Sequence, residues 1–251
     1  MQIRKMLSRV KNKLLQKPFH KDPQFPAYWF DQLLANQFAM LVQIGSNDGK
    51  TGDPLHALLQ KNKKWKALLV EPVPYAFERL KTNYSDRSRF ICENVAINQG
   101  EALDFYWVDS IAKKHLQDLP YWFDQLGSFD KEHILKHFDG QLAPFIVSQK
   151  LQGIKLVNLL NKHQIDRIDI LHIDTEGYDW EILSQLDLNK HCPQFIMYEY
   201  KHLNQMDLQK SIQFLKDYQI FNIGIDLLAV HRQINLEFRS QMKKALKTYP
   251  L

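Results

Sequence analysis

Residues 41–49, Leu-Val-Gln-Ile-Gly-Ser-Asn-Asp-Gly, carry a short, mostly apolar run into a polar loop bracketed by two glycines. A buried parallel strand reads as such a run, and in open α/β sheets ligands settle beyond the carboxyl ends of the strands. Residues 39–44 supply the strand. Gly45 lets the backbone approach a ligand with no Cβ in the way, Gly49 permits an unusual φ or tight packing, and the free N–H groups of a following helix face the loop. The pattern is Gly-x-x-x-Gly and not Gly-x-Gly-x-x-Gly: Asn47 stands where a dinucleotide fingerprint has the glycine that admits the pyrophosphate. A cofactor that brings no pyrophosphate therefore fits the loop better than a dinucleotide.

Outward from this loop, apolar runs alternate with helical patterns. Strands are expected at residues 40–44, 67–71, 90–93, 168–173 and 194–200, and helices at 53–60, 75–84, 156–163 and 178–186. A helix over 208–218 capped by Asp207, closing strands at 220–225 and 227–230, and a basic helix from Leu236 complete the chain. This order predicts a doubly wound, mostly parallel α/β sheet with helices on both faces. Residues 107–151 break the rhythm and are rich in aromatic rings, among them Trp107, Tyr121, Trp122, Phe123, Phe129, Phe138 and Phe145. Such an insertion walls a ligand pocket or forms a satellite core, and the sequence leaves both open. The expected organisation is a basic arm at 1–25 and one domain at 26–251, with its core at about 38–230.

At 251 residues, with 45% hydrophobic and 24% charged residues, the chain has the composition of a folded domain, not of a disordered one. No apolar run approaches a membrane span and no secretory leader is legible, so a cytoplasmic location is the expectation. Cys92 and Cys192 have neither metal spacing nor a disulfide framework and read as reduced packing residues. The net charge of +5 is unevenly placed: residues 1–21 hold seven Lys/Arg and no acid, which leaves the remainder at −2. The body of the domain thus offers no electrostatic reason to bind nucleic acid. In the arm, Ile3, Met6, Leu7, Val10, Leu14 and Leu15 recur at helical spacing opposite the basic residues. That is the pattern of a helix that lies on anionic lipid or docks on a partner, though an ordinary solvated or core-packed helix is the plainer reading.

The chemistry-bearing residues follow the predicted strands. Glu71, with Pro72 behind it, ends the second strand 22 residues beyond Gly49, the position from which a carboxylate accepts hydrogen bonds from two ribose hydroxyls. After the third strand, Glu93 or Asn94 is placed to accept from an adenine amino group while Val95 packs on the ring; a local turn is the alternative for Asn94. The fourth strand ends Leu171-His172-Ile173-Asp174-Thr175-Glu176-Gly177-Tyr178, which puts His172, Asp174 and Glu176 on one side at a helix start capped by Thr175. The fifth brings Glu199 and His202 to the same edge. No pair among these has a spacing diagnostic of a metal, and no metal site is expected.

Together these residues resemble the FkbM-type family of class I S-adenosylmethionine-dependent methyltransferases. The resemblance rests on Val42 to Gly49, on Val70-Glu71-Pro72-Val73-Pro74, on Asn94-Val95-Ala96-Ile97 and above all on the Asp174-to-Tyr178 element. It implies a seven-stranded Rossmann-like sheet with its last strand antiparallel, S-adenosylmethionine as cofactor, and O-methylation of a sugar or another small hydroxylated metabolite. One departure is Gln43, which stands where an acidic residue is usual, so contact to the cofactor's methionine end becomes a neutral hydrogen bond. On this reading Gln43, Gly45, Ser46, Asn47, Asp48, Gly49 and Asp174 surround the methionine end, Glu71 and Pro72 the ribose, and Asn94 and Val95 the adenine. Glu176, then His202, with Asp174, His172 and Glu199 behind them, are the candidates for proton acceptance or acceptor binding. The rival class is a non-catalytic Rossmann-like module recruited to a partner or membrane through its basic arm.

Overall fold

The computed structural model describes residues 21–250. The basic amphipathic arm expected at the N-terminus lies, up to residue 20, outside the described residues. In chain order the elements are α1 (Pro26–Leu34), β1 (Ala39–Ile44), α2 (His56–Lys61), β2 (Trp65–Val70), α3 (Pro74–Asn83) and β3 (Phe90–Glu93). The insertion follows, with β4 (Ala102–Val108), α4 (Ala112–His115), β5 (Gly127–Ser128), α5 (Lys131–Leu135) and β6 (Ile146–Gln152). The second half comprises α6 (Leu156–Lys162), β7 (Ile170–Ile173), α7 (Asp179–Leu183), β8 (Phe195–Glu199), α8 (Gln205–Phe214), β9 (Tyr218–Asn222), β10 (Asp226–His231), α9 (Leu236–Ala245) and β11 (Lys247–Thr248).

The main sheet has the order β11-β9-β10-β8-β7-β1-β2-β3. β1 pairs in parallel with both β2 and β7, β2 with β3 and β7 with β8, whereas β10 runs antiparallel between β8 and β9. The expected doubly wound sheet is therefore present, its seventh long strand reversed, and the two-residue β11 adds an eighth strand at the edge. The chain winds outward from β1 in one direction and, after the insertion, in the other, so β1 and β7 meet at a topological switch point, where such sheets bind ligands.

Alternation along the central strands feeds two cores. Leu41, Leu69, Ile170 and Met197 face Phe30, Leu34, Leu58, Leu80 and Met242 of the helices on one side; Val42, Val70, Leu171 and Ile196 face Leu156, Leu159, Ile182 and Leu215 on the other. The α1 helix was not foreseen from sequence. Pro26 starts it, and Asp31 then receives Lys61 Nζ at 2.5 Å and Asn62 Nδ2 at 3.2 Å, which ties it to the end of α2. The expected Asp207 cap is corrected: the Asn204 side chain accepts from the Asp207 N–H, so α8 begins at Gln205. Likewise α2 starts late because the Asp53 carboxylate accepts from the Leu55 N–H at 2.7 Å and holds a turn first. Cys92 and Cys192 are free thiols, but Cys192 is exposed and does not pack as expected.

The insertion is a three-stranded antiparallel sheet, β5-β4-β6, with its own small core of Val108, Phe123, Leu126, Ile134 and Leu142. Its aromatics divide between the two expected roles: Phe123 and Trp107 are buried, while Phe129 walls a cleft described below. The single Tyr75 hydroxyl proton lies within reach of two carbonyls, those of Val108 at 2.8 Å and Asp124 at 2.9 Å, and Arg79 pairs with Asp124 at 2.8 Å, fixing the insertion to α3. No helix among the described residues is long and apolar enough to cross a membrane.

Gly45 and Gly224 both hold left-handed φ, at +82° and +97°, but a Cβ on Gly45 would overlap the Asp174 carbonyl oxygen while one on Gly224 meets nothing within 4 Å. Gly45→Ala is expected to lower the unfolding free energy by about 3 kcal/mol or more, and Gly224→Ala by only about 1–2 kcal/mol, the left-handed penalty alone. Urea midpoints of the two variants check this; equal losses would contradict the overlap at Gly45.

Candidate active site

A cleft opens at the switch point, between the loops that leave β1, β2, β3 and β7 and the insertion. The loop after β1 is held on both sides by backbone bonds. Gly45 N–H and Ser46 N–H both donate to the Val70 carbonyl, at 3.0 and 2.9 Å, and Asp174 N–H donates to Ile44 at 2.9 Å. Gly45 is glycine because the Asp174 carbonyl lies against its Cα. Gly49, at φ +66°, is glycine because Leu80 and Tyr84 occupy the space of a Cβ, and the Tyr84 hydroxyl donates to its carbonyl at 2.8 Å.

Glu71 stands at the floor of this cleft, buried. Its Oε2 accepts from the Asn47 N–H and its Oε1 from the Val73 N–H, both at 2.8 Å. Each oxygen retains a lone pair for a further donor. Burial pushes the carboxyl up, the two N–H bonds oppose it, and the outcome is a pKa of about 7. The rest of the lining includes the apolar Val95, Ala96, Ile97 and Phe105 and, from the β1 and β7 loops, Gly45, Asn47 and Asp174.

Several residues expected at this cleft are elsewhere. Gln43 is buried in the middle of the sheet, paired in register with His172 on β7, and it does not reach the wall. His172 lies buried beside it, its pKa pulled down to about 4 by loss of solvent. The reason is strand parity: both side chains leave the sheet one step before the strand ends, under the loops. Ser46 Oγ donates to the Gln43 carbonyl and accepts from Val70 N–H, so it braces the loop. Asp48 caps its own turn through Lys50 and Thr51. Asn94 Nδ2 donates to the carbonyls of Glu71 and Pro72, and Glu93 binds Lys162 and His163; neither side chain is on the cleft wall. Thr175 does not cap α7. It donates its N–H and hydroxyl to Asp179, whose carboxylate also receives the Glu199 N–H.

Glu176, by contrast, is where the sequence places it, and in a conformation that aims it. Its φ is +54°, unusual for a residue with a Cβ, and Gly177 follows at +102°. The turned carboxylate lies in the wall of the first cleft and of a second, adjoining one; Phe129 and Tyr178 share both walls. In the second cleft Glu176 Oε2 meets His133 Nε2 at 2.8 Å and His202 Nε2 at 3.8 Å, and His202 Nε2 lies 3.5 Å from Glu199 Oε1. His137 Nε2 is 3.4 Å from His133 Nε2.

Burial lifts the Glu176 carboxyl, but the His133 bond and the charges of His133, His202 and His137 outweigh it and leave it below the ordinary value. Burial pulls His202 down to about 4 against the pull of Glu176, so its imidazole is neutral at pH 7. Burial, then the neighbouring Asp174, Glu176, Asp179 and Asp226, drives Glu199 far above the carboxylate range, so it stands protonated. The site thus offers an ionised carboxylate and a neutral imidazole side by side, with a carboxylic acid behind them. Glu176, His202 and Glu199 are brought together as the sequence suggests. His133 and His137 were missed, although their His-x-x-x-His spacing places two imidazoles one helical turn apart and was the signal that could have found them.

The reversed-strand Rossmann-like sheet with a ligand cleft at its switch point defines a methyltransferase-type α/β protein. A family model described as the methyltransferase FkbM domain matches residues 43–220. The chain belongs to the FkbM methyltransferase family, and its cofactor is S-adenosylmethionine. Among solved structures it is similar to Aeropyrum pernix fibrillarin (10% identity over 78% of this chain and 68% of that one, TM-score 0.40). It is also similar to a human methyltransferase 10 domain containing protein (13% identity, 81% and 79%, TM-score 0.39) and to the Methanococcus jannaschii fibrillarin pre-rRNA processing protein (8%, 78% and 67%, TM-score 0.39). A search of curated protein sequences returns no match.

Replacing His133 by Ala removes the main influence that offsets burial at Glu176. The Glu176 carboxyl is expected to rise above its ordinary value in that variant, read by the carboxyl carbon-13 shift across a pH titration; an unmoved midpoint would contradict the pairing.

Proposed function

We propose that the protein transfers a methyl group to a hydroxyl oxygen of a sugar or another small hydroxylated metabolite held in the second cleft. The observation that carries this reading is the placement of Glu176, ionised and in the wall common to both clefts. The first cleft fits the cofactor in character: an apolar end of Val95, Ala96, Ile97 and Phe105 for an adenine, Glu71 for the ribose hydroxyls, and Gly45, Asn47 and Asp174 for the methionine end. Bound there, S-adenosylmethionine supplies a methyl group already activated by its sulfonium.

The chain's own residues then have two tasks. Phe129 and Tyr178 present ring faces, and His133, His202 and Asp130 present polar groups, a lining that suits a polyhydroxylated ring. Holding reactants in near-attack geometry is worth about 7–11 kcal/mol. Glu176 accepts the hydroxyl proton, and His133, bonded to its Oε2, steadies the carboxylate; such base assistance is worth about 10²–10⁴ in rate.

With isotope-labelled S-adenosylmethionine and a panel of sugars, polyols and amines, label is expected in ethers of the hydroxylated compounds; label found only on nitrogen would overturn the reading. Glu176→Gln is expected to lower kcat by about 10²–10⁴-fold with S-adenosylhomocysteine affinity nearly unchanged. Glu71→Ala should weaken S-adenosylhomocysteine by about 10–150-fold, the loss of hydrogen bonds to a charged group. Because Glu71 is half protonated near pH 7 and ribose hydroxyls favour its ionised form, S-adenosylhomocysteine binding should release protons at pH 7 and not at pH 8.5. Calorimetry in two buffers of different ionisation enthalpy measures that release.

A further inference from the structure

The second cleft holds more nitrogen ligands than proton acceptance requires. His133 reaches it from the insertion with His137 against it, His202 reaches it from the loop after β8, and Glu176 stands between His133 and His202. The ligand atoms of His133, His137 and Glu176 all lie within 4.8 Å of one another, as do those of Glu176, Glu199 and His202. Hydrogen bonding alone accounts poorly for this cluster. His133 Nε2 carries at most one proton, yet faces Glu176 Oε2 at 2.8 Å and His137 Nε2 at 3.4 Å. A single proton cannot be donated fully to both. A cation in place of that proton takes a lone pair from each of the three groups, and two ligand nitrogens each bonded to a tetrahedral zinc ion lie about 3.4 Å apart.

We propose that His133, His137 and Glu176 form a binding site for one divalent first-row transition-metal ion. Two imidazoles with one carboxylate select ions of the Zn²⁺, Co²⁺ or Fe²⁺ kind over Mg²⁺ and Ca²⁺, which prefer all-oxygen sets. The cleft is open beside Glu176, which leaves a coordination position for a ligand from solvent. Its use rests on the proposed acceptor site: a hydroxyl of the acceptor, bound at that position, loses its proton more readily, and Glu176 Oε2 serves as ligand while Oε1 stays available to the proton.

The test uses the full chain, stripped with a chelator and titrated separately with Zn²⁺, Co²⁺ and Mg²⁺. Expected are one equivalent of Zn²⁺ or Co²⁺ bound with at least 100-fold preference over Mg²⁺, and a visible absorption band of tetrahedral or five-coordinate Co²⁺. His133→Ala and His137→Ala should each weaken Zn²⁺ by 10-fold or more, while His115→Ala, outside the cluster, leaves it unchanged. Circular dichroism and S-adenosylhomocysteine titration of the same variants report whether the fold and the cofactor cleft survive. Substoichiometric binding, or equal affinity in His137→Ala, overturns the site. The methyl-transfer reading fails separately: an ion bound with no label on any hydroxyl removes that reading and keeps the metal site, whereas chelator-insensitive label transfer in an ion-free protein does the reverse.

Discussion

The contact between the Gly45 backbone and the Asp174 carbonyl is the constraint on which the site depends. β1 and β7 are neighbours in the sheet, but the chain leaves them in opposite directions around it, and their exits come so close that only a hydrogen fits on the Gly45 Cα. With the two exits locked together, Asp174, Thr175 and Glu176 emerge beside the loop of residues 45–49. Glu71 then closes the third side by accepting from Asn47. No side chain in this arrangement is placed by its own loop alone.

The same convergence gathers acidic groups at one end of the sheet, and the protein deals with each differently. Glu71 is held by backbone N–H groups from two loops. Asp179 receives Thr175 and the Glu199 N–H and still rises to about 6 through burial. Glu199 is left with like charges around it and keeps its proton. Glu176 has His133 hydrogen-bonded to it and His202 beside it, and of these four acids it is the one held below its ordinary value. The ionised carboxylate is therefore at the wall between the clefts, and the uncharged acid is behind it, a division set by which neighbours each loop brings.

Much of this was legible in the sequence wherever a local rule was at work. The apolar run into Gly45, the carboxylate after the second strand and the Asp-Thr-Glu-Gly run after the fourth each announce a strand end, and the structure puts Glu71, Asp174 and Glu176 at the cleft. Period-two alternation does not reveal which face a cleft opens from, so Gln43 and His172 were expected at the cofactor and lie beneath it. Short polar side chains are ambiguous for a related reason. Ser46, Asp48 and Asn94 are as able to bond nearby backbone as a ligand, and all three do so. The imidazoles of His133 and His137 come from a segment with no periodic pattern, and their partner is 43 residues away for His133. Nothing local encodes that distance.

The insertion begins and ends side by side: β4 and β6 pair along their whole length, with Ala102 opposite Gln152. Its own small core lies within it, and Tyr75 and Arg79 of α3 grip it from outside. A segment with adjacent feet can be lengthened, shortened or exchanged without rethreading the sheet on which Gly45, Glu71 and Asp174 stand. The fold therefore separates two rates of change: the half of the cleft built on strand ends is pinned by backbone contacts, while the half built from the insertion is a detachable cassette, free to be remodelled without disturbing the first.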